Sequence, residues 1–183
     1  MSDDAWPHGE LAWVEELRRS PLPCVLLLCG LTGAGKTTLA TRLERSLPAL
    51  RFTVDDWMIA LFGQHLPRPE HDERLATLSE LMWDTARRAV GLGVHVILDQ
   101  GFWRRAEREA TAERVRAANA TPIVVYLEVA MPELQRRLAL RNAAPPSGTY
   151  EVTAEMLTLF ATWFEVPDEH EGVRLVRIAR PPA

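Results

Sequence analysis

The chain has 183 residues, 47% of them hydrophobic and 25% charged, with a formal net charge of −4. That length fits one ordinary domain with a single continuous core. A sequence pI near 5.8 offers no general electrostatic attraction to nucleic acid or to an anionic membrane. The start, Met1-Ser-Asp-Asp, lacks the basic-then-apolar layout of a signal peptide. The longest apolar run, Cys24 to Cys29, is too short to cross a bilayer. No membrane contact and a cytoplasmic location are therefore expected. The two cysteines, separated by four residues within that run, read as small buried side chains rather than a disulfide framework or zinc site. The basic residues are heavily skewed: of 21, 20 are arginine, and Lys36 is the sole lysine.

In chain order, residues 9–19 read as a short amphipathic helix with Leu11, Val14 and Leu17 on one side, broken by Pro21 and Pro23. Residues 1–22 thus form a helical extension ahead of one domain over 23–183. Cys24-Val-Leu-Leu-Leu-Cys29 is the continuously apolar run of a parallel strand covered on both faces. A glycine-rich turn and a helix carrying Leu39, Leu43 and Leu47 follow. Residues 51–54 read as a strand, with a helix from Asp55, and a long helix covers 71–91. Strands at 94–98 and 122–127 are each followed by a helix, one after Trp103 and one from near Pro132. Residues 143–149 read as a mobile loop, 153–164 as a helix and 173–178 as the last strand. This alternation predicts an α/β three-layer sandwich: a five-stranded, mainly parallel sheet with helices on both faces and ligands at the strands' carboxyl ends.

Gly30-Leu-Thr-Gly-Ala-Gly-Lys-Thr37 satisfies G-x-x-x-x-G-K-[ST] between a strand and a helix. Glycines let successive backbone N–H groups curl inward around phosphate oxygens, and the helix N-terminus adds its positive dipole end. The nucleotide-binding set is Gly30, Leu31, Thr32, Gly33, Ala34, Gly35, Lys36, Thr37 and the following Thr38. Lys36 is expected on the β- and γ-phosphates and the Thr37 hydroxyl on Mg²⁺. An arginine fork could not replace the compact ammonium. The guanine-reading Asn-Lys-x-Asp motif of Ras-like GTPases needs a second lysine, which the chain lacks, so ATP is the expected nucleotide.

Asp55 and Asp56 follow the second strand on the same sheet edge as the phosphate loop. A carboxylate there can orient an acceptor hydroxyl and take its proton, while its neighbour caps the next helix. Asp99 closes the third strand, where it could hold Mg²⁺ or position substrate. The next residue is Gln100, where many motor ATPases carry a water-activating glutamate, and this favours transfer over hydrolysis. Glu133-Leu-x-x-Arg137-x-x-x-Arg141 follows the fourth strand. In this order the motifs resemble the P-loop kinase group that includes the phage-type polynucleotide 5′-kinase, zeta toxins and chloramphenicol phosphotransferase. The resemblance spans residues 24–165. It implies an ATP- and Mg²⁺-dependent kinase with Asp55 as general base, Lys36 on the phosphates, and Arg137 and Arg141 on a small lid around 137–150.

Asp56, Arg104 and Arg105 join Asp55 and Asp99 as candidate acceptor-binding residues, with Trp103 available to stack on a ring or to pack on the sheet. The five histidines show no metal-ligand spacing. Polynucleotide kinases of this group carry an arginine soon after the aspartate pair. Here Trp57 and Met58 stand there, which weakens the nucleic-acid reading. A small-molecule hydroxyl (of a metabolite or antibiotic) is the leading acceptor, and a nucleoside or polynucleotide 5′-hydroxyl is second. The rival from another class is an ATPase or nucleotide-dependent switch with no acceptor. The segment Gly63–His71 is expected to shape the acceptor pocket. The sequence carries no reading of oligomeric state.

Overall fold

The computed structural model describes residues 12–64, 67–144 and 150–180. Five strands, β1 (Cys24–Cys29), β2 (Ala49–Thr53), β3 (His95–Gly101), β4 (Thr121–Val129) and β5 (Arg174–Arg180), form one sheet in the order β2-β3-β1-β4-β5. All four pairings are parallel, so the sheet is wholly rather than mainly parallel. Every residue of β1 is buried, because helices cover the sheet on both sides.

Side-chain alternation along β1 divides the core in two. Val25, Leu27 and Cys29 face a cluster with Met58 of α3 (Val54–Phe62), Met82 and Ala86 of α4 (Arg68–Gly91), and Val115 of α5 (Arg105–Ala117). Cys24, Leu26 and Leu28 face the other cluster. That one holds Leu17 of α1 (Ala12–Arg18), Leu39 and Leu43 of α2 (Lys36–Ser46), Leu134 of α6 (Met131–Ala143) and Leu157 of α7 (Ala154–Trp163). Each fully buried leucine contributes about 2 kcal/mol, which is why a chain with only six residues in its central strand still commits to this layering.

Two element boundaries depart from the hydrophobic pattern. Apolar character in β3 ends at Leu98, yet the strand continues through Asp99, Gln100 and Gly101, because pairing persists from Leu27↔Leu98 to Cys29↔Gly101. Helix α4 starts at Arg68, ahead of the periodic stretch, with Pro69 in its first turn, where a missing N–H costs nothing. Only Ala12 onward of the N-terminal helix is described. Residues 9–11, His8, His65, Leu66 and residues 145–149 of the expected lid lie outside the described residues. His95 is structural: its Nδ1 accepts the Cys24 backbone N–H at 2.9 Å, and burial lowers its pKa.

A buried ion pair joins α5 to the turn ahead of β5. Arg108 on α5 has no exposed side-chain area, and its Nε donates to Glu171 Oε2 at 2.7 Å. Glu171 lies in a 3-10 turn, Glu169–Glu171, just before β5. The same guanidinium donates from Nη1 to the carbonyls of Phe102 (3.0 Å) and Trp103 (3.2 Å). Phe102 has φ 46°, a left-handed conformation costing about 1–2 kcal/mol in a non-glycine residue, and these bonds hold it there. Replacing Glu171 with Leu leaves a buried guanidinium unpaired and is expected to cost about 3–5 kcal/mol of stability. In urea unfolding the double change Arg108→Met/Glu171→Leu should recover most of that loss. A single change costing less than about 1 kcal/mol would show the pair to be dispensable.

Candidate nucleotide and acceptor site

The phosphate loop leaves β1 at Gly30, whose N–H donates to Gly101 O at 3.2 Å. Gly33 (φ 87°) and Gly35 (φ 94°) take left-handed conformations that only glycine adopts without strain. At Gly33 a Cβ would also meet Leu138 Cγ at 3.3 Å, so α6 presses on the loop from outside. Gly35 is the N-cap of α2, and no side chain caps that helix. Its first amides are therefore available to an anion. Lys36 Nζ donates to the carbonyls of Gly30 (2.9 Å) and Leu31 (3.1 Å). Burial pulls the lysine pKa down, with Asp99 and Asp55 working against it.

Parallel register sets the carboxylates. Thr53 pairs with Asp99 across β2 and β3, and Thr53 Oγ1 donates to Asp99 Oδ2 at 3.2 Å. Asp99 is buried, and burial raises its pKa against the opposing pull of Lys36 and of hydrogen bonds from Thr37 and Thr53. Thr37 and Asp99 thus meet, as a Mg²⁺ site needs: one hydroxyl and one carboxylate, both hard oxygen donors. No group of three or more metal-binding His, Cys, Asp or Glu side chains occurs among the described residues, so such a site would draw its other ligands from phosphate and water.

The two aspartates of the pair diverge. Asp56 Oδ2 lies 3.5 Å from Arg51 Nη1, and Arg51 also binds Glu44 at 3.2 Å. Asp55 faces the cleft. Solvent reaches its side chain at the mouth, but the surrounding walls are dense enough to raise its pKa, with Lys36 lowering it and Asp99 and Asp56 raising it further.

The α6 arginines also diverge. Arg137 Nε binds Glu133 at 2.7 Å and its Nη1 reaches Ala34 O at 3.4 Å, so it braces the phosphate loop. With Arg136 it holds the Glu133 carboxyl down at about 2. Arg141 donates from Nη2 to Tyr150 O at 3.2 Å, and its Nε is buried with no hydrogen-bond partner among the described residues. Asp55 and Lys36 both act on it electrostatically. Arg105 is directed away from the cradle, to Glu109 (2.7 Å) and His170 O (3.2 Å). Arg104 is exposed at the N-cap of α5.

Sequence patterns did not single out Arg51, Thr53 or Tyr150, and left Trp103 undecided between two roles. Trp103 packs on Phe160 of α7 at 5.0 Å, and its Nε1 donates to Gly30 O at 3.1 Å. The only sequence signal for Thr53 was its place at a strand end, just ahead of an acidic pair. Cys29 plays no chemical role: its thiol donates to Phe102 O at 3.2 Å, and burial pushes its pKa up to about 12.

An AAA-domain family model matches residues 25–167. No curated protein matches the chain in sequence. Among solved structures, a Chloroflexus aurantiacus j-10-fl protein inferred to be a kinase is similar at 21% identity and TM-score 0.66, over 86% of this chain and 85% of that one. A sugar kinase from Janibacter sp. HTCC2649 is similar at 16% identity and TM-score 0.62, over 88% of each. A chain of the Pnkp1/Rnl/Hen1 RNA repair complex is similar at 20% identity and TM-score 0.63, over 81% of this chain but only 46% of that longer one. Identities this low establish a shared fold.

Gly30 O receives two donors, Lys36 and Trp103. If the ammonium turns to a phosphate, Trp103 remains to satisfy that carbonyl. Trp103→Phe keeps a ring on Phe160 and removes only the N–H. It is expected to weaken Mg²⁺–ADP binding by roughly twofold to tenfold, the net effect of one hydrogen bond. Titration calorimetry showing unchanged affinity would remove Trp103 from the cradle.

Proposed function

The chain belongs to the AAA-domain family, and from that premise we propose that it is an ATP- and Mg²⁺-dependent phosphotransferase acting on a hydroxyl of a small molecule, a metabolite or an antibiotic. The observation that carries this reading is the divergence of the aspartate pair: Asp55 shares the cleft with Lys36, while Asp56 pairs with Arg51. A carboxylate beside the phosphate-binding lysine can take the proton of an attacking hydroxyl. Desolvation by the cleft walls raises the Asp55 pKa and so strengthens it as a base, while Lys36 favours its ionised form.

In the proposed transfer, the acceptor oxygen bonds to the γ-phosphorus as the bond to the β,γ-bridging oxygen breaks. ADP leaves and the acceptor's proton passes to Asp55. Lys36 and Arg141 supply positive charge to the transferring group without rearranging the fold. Mg²⁺, held by Thr37 and Asp99, would neutralise charge on the β- and γ-phosphates. Arg137 keeps the loop in shape through Ala34 O.

Gln100, in place of a hydrolytic glutamate, supports transfer over hydrolysis. The net charge of −4 supports a small acceptor over a polynucleotide, whose binding draws on several phosphate contacts. The likeness to a protein described as a sugar kinase agrees with an acceptor rich in hydroxyls.

The test is acceptor-dependent ADP formation over a panel of sugars, aldonates, antibiotics and 5′-hydroxyl oligonucleotides. Asp55→Asn should lower turnover on the order of 10²- to 10⁴-fold, while Asp56→Asn stays within about threefold, as for a residue outside the reacting centre. Slow hydrolysis that no hydroxyl compound stimulates would sink the reading in favour of an ATPase or switch. The pH profile supplies a second check. A raised Asp55 pKa means that the basic form is lost at a higher pH on acidification. The acid limb of kcat/KM should therefore sit above the ordinary aspartate value of about 4, and it should vanish in Asp55→Asn.

A further inference from the structure

Two buried side-chain polar atoms lack a hydrogen-bond partner among the described residues: Arg141 Nε and the Tyr150 hydroxyl. They belong to one unit, because Arg141 Nη2 donates to the Tyr150 main-chain oxygen at 3.2 Å. Both lie where the Asp55 charge acts on them. The Tyr150 ring is held by contacts that leave its hydroxyl unused. The His71 ring, in the first turns of α4, meets it edge-on at 6.0 Å and 71°, and the arginine tether holds its backbone. A buried hydroxyl left unpaired costs about 1–3 kcal/mol. An unpaired hydroxyl and a second orphaned donor, both within the field of one carboxylate, call for a ligand that completes them.

Arg141 is already accounted for by the transferring phosphoryl group, but Tyr150 is not. Burial holds its phenol above the usual range, so at neutral pH it is a neutral O–H donor that needs a lone pair. Its ring touches His71 in the first turns of α4, its backbone is tied to Arg141, and the charge of Asp55 reaches it.

We infer that the Tyr150 hydroxyl binds an oxygen of the phosphoryl acceptor next to the hydroxyl that Asp55 deprotonates, and so selects acceptors with two neighbouring oxygens, as in a sugar, an aldonate or a ribose. The inference rests on the phosphotransferase reading for the identity of the ligand. The location of the hydroxyl site stands apart from it.

The chain has two tyrosines, so in protein labelled with ¹³C-tyrosine the Tyr150 ring signal is assigned by comparison with Tyr150→Phe. The probes are D-gluconate, D-glucose, chloramphenicol and a 5′-hydroxyl dinucleotide, each added to protein already saturated with Mg²⁺ and a non-hydrolysable ATP analogue. The expected result is that a probe supporting ADP formation from ATP also moves the Tyr150 signal. Its KM should rise about tenfold in Tyr150→Phe, the scale of one lost hydrogen bond, while the KM for ATP moves less than about twofold. Three results overturn the inference: the signal shifts with nucleotide and no further with any probe; no probe moves it; or a phosphorylated probe leaves both signal and KM untouched. A probe that moves the signal yet is never phosphorylated keeps the hydroxyl site and overturns the phosphotransferase reading instead.

Discussion

β1 and β3 end side by side, joined where the Gly30 N–H meets Gly101 O at 3.2 Å, and the cleft is laid out from that junction. Parallel pairing brings Cys29 opposite Gly101 and Thr53 opposite Asp99, so three chain segments arrive at one edge with their carboxyl ends level. The phosphate loop leaves from the middle, the aspartate pair from β2 and the Asp99 carboxylate from β3. Burial of β1 on both faces keeps the edge rigid: a shift of one residue would turn its leucines to the wrong helices and displace the loop with them.

Charge in the cleft follows from burial. Lys36, Asp55 and Asp99 each have their charged form disfavoured by desolvation, and the lysine and the two carboxylates each favour the other's charge. Asp99 is buried and Lys36 half-buried, while Asp55 opens to solvent at the mouth, so the inner two charges act on their neighbours more strongly than they would in bulk water. The residues around it are supports. Thr53 donates to Asp99, Arg51 draws Asp56 aside, Arg137 steadies Ala34, and Arg108 fixes the carbonyls of Phe102 and Trp103.

The flank where α4 meets α7 is built from pieces far apart in the chain. Arg68 at the start of α4 lies over the Trp163 ring at 6.0 Å, and His71 meets Tyr150. Trp163 packs on Phe160, and Phe160 on Trp103. This aromatic line ties α4 and α7 to the phosphate loop, because Trp103 also donates to Gly30.

Sequence alone determined the layers and the phosphate loop. An apolar run of strand length, a glycine turn and a leucine-spaced helix are local signals, and the lone lysine marked the loop's reactive position. The strand–helix alternation and the buried, unreactive cysteines were equally legible, since each depends on hydrophobic spacing within a few residues. Only the tertiary structure decided which aspartate lies with Lys36, because helix phase at α3 and Arg51 on the preceding strand send the adjacent carboxylates in different directions. It also decided that Arg137 spans Glu133 and Ala34, that Arg105 turns to Glu109, that Arg141 meets Tyr150, and that Trp103 reaches Gly30 and Thr53 reaches Asp99. The reason is physical. Periodicity reports which face a residue takes, whereas bonds such as Thr53 to Asp99 and Trp103 to Gly30 join residues tens of positions apart that the parallel sheet brings together.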